Sequence, residues 1–428
     1  MCSELMAFRA LENDGVFSCI TGLIVNSGHI TKDFRDEEAL RYCDCIAEMA
    51  DAAERYGVRG NIWNSWLAIK FAEGETQFAL AQERRKPLSG TLSRIAIEDL
   101  ETIFSYLDFD LNKLDDELGV EAFGRFGDYE PLSLDTPAYD GSAREAIQSL
   151  ADAMAKASSC EELHAALMNF YLNKGVGIFA LNRAFRWDRT SRSIIPVTHT
   201  DDIALSGLVG YGEQKGALVD NTVAFLEGRP ANNVLLYGES GTGKSSSIKA
   251  LLNEYEPQGL RMVEVYKHQI EDLDTIIDMI KNRNYKFIIF MDDLSFEHFE
   301  VEYKFLKAFI EGGLEKRPDN VLIYATSNRR HLMKETWADR DDKYGDMHES
   351  ETVQERMSLV DRFGLLISYF SPAQEEYFNI VRVLAKEYGL SVSDEELERG
   401  ATRWELKHGG FSGRSARQFV EFLAGSKE

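Results

Sequence analysis

The chain has 428 residues, with 72 Asp and Glu against 48 Lys and Arg, a net charge of -24. That length points to two or three domains, and a composition 44% hydrophobic and 11% aromatic supplies apolar surface for real cores. The acidic balance counts against nucleic acid and anionic lipid as partners, because the densest basic stretch is only Arg84-Arg85-Lys86 before Pro87.

Five cysteines (Cys2, Cys19, Cys43, Cys45 and Cys160) show no zinc-ligand spacing and fit reduced thiols in a cytoplasmic protein. The N-terminus lacks the basic-then-apolar form of a signal peptide, and Val16–Val25 is too short and too polar to span a bilayer. The expectation is a soluble, cytoplasmic protein with no membrane segment.

Residues 1–180 read as a mainly α-helical N-terminal domain. In Glu38–Tyr56 the apolar positions Leu40, Cys43, Ile46, Met49, Ala50 and Ala53 recur at three- and four-residue steps and make one helix face. Trp63, Trp66, Leu67 and Phe71 continue the pattern as core, and further helical stretches lie at Leu92–Leu118 and Ala143–Asn173. The turn-rich stretch 126–142 separates those two as a surface loop. His29 and His164 stand alone, and no catalytic constellation is evident in this half.

Residues 181–202 turn toward β-branched and aromatic residues with charges between them, a strand pair or extended connector. Residues 203–370 then alternate strands and helices, which predicts a parallel, helix-covered α/β sheet. The apolar run Asn233–Tyr237 reads as a buried strand that breaks at Gly238. The loop Gly238, Glu239, Ser240, Gly241, Thr242, Gly243 leads into a helix through Lys244, Ser245 and Ser246. This is G-x-x-x-x-G-K-[ST] between a strand and a helix. Its glycines let backbone N–H groups turn toward phosphate oxygens, Lys244 reaches terminal phosphates, and the Ser245 hydroxyl can ligate Mg²⁺. The residues predict a nucleoside triphosphate site with Mg²⁺.

About fifty residues on, the unbroken apolar run Lys286–Met291 reads as a central strand ending in Asp292-Asp293. Carboxylates there sit where open α/β sheets bind ligands. Asp292 is expected to hold Mg²⁺ and Asp293 to orient or deprotonate water, with Glu297 as its rival. The strand Asn320–Ala325 ends in a polar tip where Asn328 is placed to touch a γ-phosphate or the attacking water. Residues 371–428 form a helical lid: Ser371-Pro372-Ala373-Gln374 reads as a capped helix start, and Ser393–Glu396 as a second capping box.

VLLYGESGTGKSS, KFIIFMDDLSFE and NVLIYATSNRRHL resemble Walker A, Walker B and sensor 1 of an AAA+ P-loop NTPase. More narrowly, with LVGYGEQK, DRFGLLISYFSP and GGFSGRSARQFVEFL, the chain resembles over about 180–425 the prokaryotic proteins called domain of unknown function 815. The resemblance implies a five-stranded parallel sheet in AAA+ order, a helical lid, and a homo-oligomeric ring with shared ATP sites, a hexamer among the sizes it allows. It implies that Arg362 is an arginine finger, with Arg329 and Arg330 as competitors. It also implies that Arg417 is the sensor 2 arginine, with Arg414 next, and that Val209 and Gly210 lie against the adenine base.

Two departures stand out. The pair Glu239-Ser240 is uncommon in the loop, and Val265-Tyr266-Lys267-His268 lacks the glycine of pore-threading loops. The functional expectation is an ATPase acting on an unknown protein partner. The alternatives are a nucleotide switch or loader with little turnover, and a nucleic-acid remodelling ATPase that the acidic charge disfavours.

Overall fold

The computed structural model describes residues 5–30, 34–84, 89–132, 141–296, 302–311, 318–328 and 359–426. Glu297, Arg329, Arg330 and the centre of the turn-rich stretch 126–142 lie outside the described residues. Contacts divide the chain into two units, one of residues 1–183 and 196–199, the other of residues 184–195 and 200–428.

Among its described residues the first unit is helical, apart from loops and a short antiparallel pairing of β1 (Gly60–Asn61) with β2 (Asp128–Tyr129). Its central helix, Ile62–Glu73, is buried on almost every side. Trp63 and Trp66 stack within it at 5.5 Å, and Phe17 stacks on Trp63 at 6.1 Å. The aromatic stripe is therefore core, as its spacing predicts. The helix Arg35–Tyr56 turns a slightly different face inward than expected: Leu40 is 65% exposed. Ile46, Met49, Ala50 and Ala53 are buried as their spacing predicts, and Tyr42, Cys45 and Tyr56 join them in place of Leu40 and the half-buried Cys43. Tyr42 begins that stripe with the larger side chain, and the phase of the helix follows it. Cys19, Cys43, Cys45 and Cys160 are free thiols.

The second unit is built on one seven-stranded sheet in the order β4-β3-β6-β7-β8-β5-β9. The strands are β3 (Ala184–Asp188), β4 (Ser193–Pro196), β5 (Val234–Gly238), β6 (Leu260–Glu264), β7 (Lys286–Met291), β8 (Val321–Ser327) and β9 (Leu365–Tyr369). The five expected parallel strands are present, and two more widen the sheet. β6-β7-β8-β5-β9 form the parallel core, and the stretch read as a strand pair or extended connector supplies β3, which pairs parallel with β6 and places β4 outside it. The hairpin residues have the β-branched and aromatic composition of a strand pair, and Phe185, Trp187 and Ile194 are buried.

β7 and β8 are buried along almost their full length, which explains why their sequences are apolar runs rather than alternations. The registers align the strand ends: Leu236 opposite Thr326, and Met291 opposite Ala325. The Gly238 loop, the Asp292-Asp293 pair and the tip of β8 consequently emerge at one edge.

The lid is three helices, Gln374–Glu387, Asp394–His408 and Gly413–Gly425, around a core including Tyr377, Leu384, Leu397 and Phe419. Val209 packs against that core. The first lid helix starts later than its sequence suggests: Ala373, which has no polar side chain, occupies the cap position, and the Ser371 hydroxyl donates to Glu239 of the phosphate loop. Among the described residues, no helix is long and apolar enough to cross a membrane.

Candidate nucleotide site

A cavity of about 580 Å³ opens at the carboxyl end of the sheet, between the phosphate loop and the lid. Ser240 through Ser247, Asp292, Asp293, Thr326 and Asn328 line one side of it, and Arg414 and Arg417 approach from the last lid helix. Ile203, Leu208, Val209, Ile380 and Leu384 supply an apolar lining.

The loop has the backbone that its glycines permit. Gly238, Gly241 and Gly243 have φ of 137°, 79° and 96°. At Gly238 a Cβ would stand 1.9 Å from the Tyr369 carbonyl oxygen of β9, so only glycine fits. The helix Lys244–Tyr255 begins directly after Gly243 and aims its N-terminus into the cavity.

Lys244 is 6% exposed. Its ammonium donates to the carbonyls of Gly238 at 3.0 Å and Glu239 at 2.7 Å, and to Asn328 Oδ1 at 3.0 Å. Burial holds its pKa below the usual lysine value, partly opposed by the charges of Asp293 and Asp292.

The acidic pair is divided between two sets of partners. Asp292 Oδ1 accepts from Ser245 Oγ at 2.5 Å and Thr326 Oγ1 at 2.6 Å. Asp293 has a left-handed backbone, φ 51°, fixed where its amide donates to Thr326 Oγ1 at 2.9 Å. Its carboxylate accepts from Asn328 Nδ2 at 2.7 Å. Thr326, absent from the sequence-based set, thus locks both acids to the tip of β8; as a hydroxyl residue closing an apolar strand beside that pair, it carried a signal.

Several residues of the sequence-based set do not line the cavity. Gly238 and Glu239 act through backbone carbonyls on Lys244, and Gly210, φ 83°, sits between the lining residues Val209 and Tyr211. Arg362 is half-buried in the turn before β9 and is not among the lining residues. Of the two lid arginines, Arg414 is bound to the loop: its amide donates to the Gly241 carbonyl at 3.1 Å and its guanidinium reaches Ser240 Oγ at 3.5 Å. Ile380 and Leu384 had no local signal, since their spacing reads simply as lid core.

Parallel strands in the order β6-β7-β8-β5-β9, a phosphate loop after β5, acids after β7 and a three-helix lid make this an AAA+ P-loop NTPase fold. The chain belongs to the family described as Protein of unknown function (DUF815), whose model matches residues 180–427. No curated protein matches it. Among solved structures it is similar to Thermotoga maritima RuvB, a Holliday junction branch migration motor, at 15% identity and a TM-score of 0.35. That match covers 51% of this chain and 63% of RuvB, under two thirds of the latter's length. It is also similar to the AAA domain of FIGL-1, solved in complex with ADP, at 19% identity and a TM-score of 0.36, covering 53% of this chain and 74% of that one.

Proposed function

We propose that this protein binds ATP with Mg²⁺ and hydrolyses it to drive conformational change in a ring of identical subunits acting on a protein partner. The observation that carries the reading is the convergence on one amide: Asn328 joins the Lys244 ammonium to the Asp293 carboxylate, in a cavity walled by a phosphate loop.

The residues fit magnesium. A serine hydroxyl and a carboxylate are hard oxygen donors, and the Ser245 and Asp292 oxygens lie 2.5 Å apart beside the loop. Ser245 and Asp292 would hold the ion with the phosphates, and a bound ion neutralises charge on the phosphate oxygens. Lys244 exchanges its loop carbonyls for terminal phosphate oxygens, while loop amides and the helix N-terminus hold the remainder. Asn328 orients the attacking water, and Asp293 accepts its proton. Arg417 and Arg414 bring positive charge from the lid, and Arg362 serves a neighbouring subunit's site, where a guanidinium offsets charge developing during phosphoryl transfer. Val209 and the apolar wall of Ile203, Leu208, Ile380 and Leu384 take the base.

One observation favours a second reading, a nucleotide switch with slow turnover: the Asp293 carboxylate is already engaged by Asn328, and aspartate is a methylene shorter than the glutamate common at this position. Binding and phosphate release, measured on wild type and Lys244→Ala, separate the two. A motor binds and turns over, a switch binds with negligible release, and loss of binding in the variant supports the site in either case.

A further inference from the structure

The segment 200–211 contains only one short turn of 3-10 helix, Leu205–Gly207, yet it supplies Ile203, Gly207, Leu208, Val209 and Tyr211 to the cavity wall. A segment so poor in its own backbone bonds needs outside partners to present a defined surface. Side chains on two helices provide them. Asn253 Nδ2 donates to the carbonyls of Asp201 at 2.8 Å and Ile203 at 2.9 Å. One turn earlier on the same helix, Lys249 pairs with the Asp201 carboxylate at 2.8 Å. From the helix Gly212–Leu226, Lys215 donates to the carbonyls of Leu205, at 3.4 Å, and Leu208.

Asn253 does not line the cavity, and it stands on the helix whose first residues, Lys244 and Ser245, do. Nine residues of helix, about 13 Å, separate Lys244 from Asn253. One rigid element therefore fixes the phosphate loop at its start and the opposite wall near its end.

We infer that Asn253 is a positioning residue for the nucleoside half of the ligand: it sets the 200–211 wall at a fixed distance from the phosphate loop and controls affinity for the base without touching it. Its two hydrogen bonds run directly from the phosphate-loop helix to the backbone of that wall, while the more exposed Lys249–Asp201 pair adds little. The inference rests on the reading of the cavity as a nucleoside triphosphate site.

The experiment compares dissociation constants of the full chain for ATP and for inorganic tripolyphosphate, which carries the phosphates without a nucleoside, both with Mg²⁺. Asn253→Ala is expected to weaken ATP about tenfold, the effect of losing one or two neutral hydrogen bonds, and to leave tripolyphosphate unchanged. Asn253→Asp keeps the shape but replaces the donor by an acceptor, and is expected to match the alanine variant. Unchanged ATP affinity in both variants overturns the inference. So does equal weakening of ATP and tripolyphosphate, since that marks a disturbance of the phosphate loop or the whole fold. Wild type that binds neither ligand removes the nucleotide reading itself, a failure distinct from either of these.

Discussion

Lys244 donates to Asn328 Oδ1 at 3.0 Å, and the other end of that amide donates to Asp293. A side chain on the tip of β8 thus links the ammonium of the phosphate loop to the carboxylate that follows β7. The bridge needs an acceptor for the ammonium and a donor for the carboxylate, and a primary amide presents one at each of its two ends. In Asn328→Ala, phosphate release is expected to fall about 100-fold, as on loss of one preorganised hydrogen bond in an active site, while ATP affinity changes only a few-fold. Steady-state turnover and equilibrium binding check this. An affinity loss as large as the turnover loss would restrict the amide to binding.

Burial lowers the Lys244 pKa, so in the window between that lowered value and the ordinary 10.5 the unfolded chain binds more proton than the folded one. Stability contributed by this group therefore rises as pH increases through the window, and below it the full cost of burying the charge applies. Lys244→Met should flatten that part of the stability curve relative to wild type. Denaturant unfolding at a series of alkaline pH values measures the difference; identical slopes would mean that the ammonium is not desolvated.

At Gly238 the backbone is left-handed and a Cβ would collide with the Tyr369 carbonyl. Gly238→Ala is expected to lower unfolding free energy by more than about 2 kcal/mol, combining backbone strain with a clash that displaces β9. Chemical denaturation supplies the number. A variant as stable as wild type would show that β5 and β9 are not seated so closely.

Arg362 lies in the turn before β9, outside the residues that line the cavity. If it completes a neighbour's site, Arg362→Ala and Asp292→Asn are each inactive alone. Mixed together they regain activity, because some interfaces then pair an intact arginine with an intact acid. Continued inactivity of the mixture, with assembly verified by light scattering, would assign Arg362 to its own subunit.

The strands and loops of the site were legible in the sequence because their chemistry is local. Lys286–Met291 reads as a buried run ending in acids, and glycines mark where the phosphate loop turns. What was illegible depends on distant partners. Ser371 has the form of a helix cap, but the Glu239 carboxylate competes for its hydroxyl. Ile380 and Leu384 look like any lid core residues, and only the folded lid brings them to the cavity. The strands β3 and β4 carried β composition, but nothing local reveals that β3 joins β6 and widens the sheet.

Calorimetric titration of the purified chain with ATP and ADP in the presence of Mg²⁺ tests the central claim most directly. The account predicts saturable binding of a single nucleotide per subunit, abolished by Lys244→Ala while the variant stays folded. Absence of heat and of retained nucleotide in wild type, under those conditions, would contradict it.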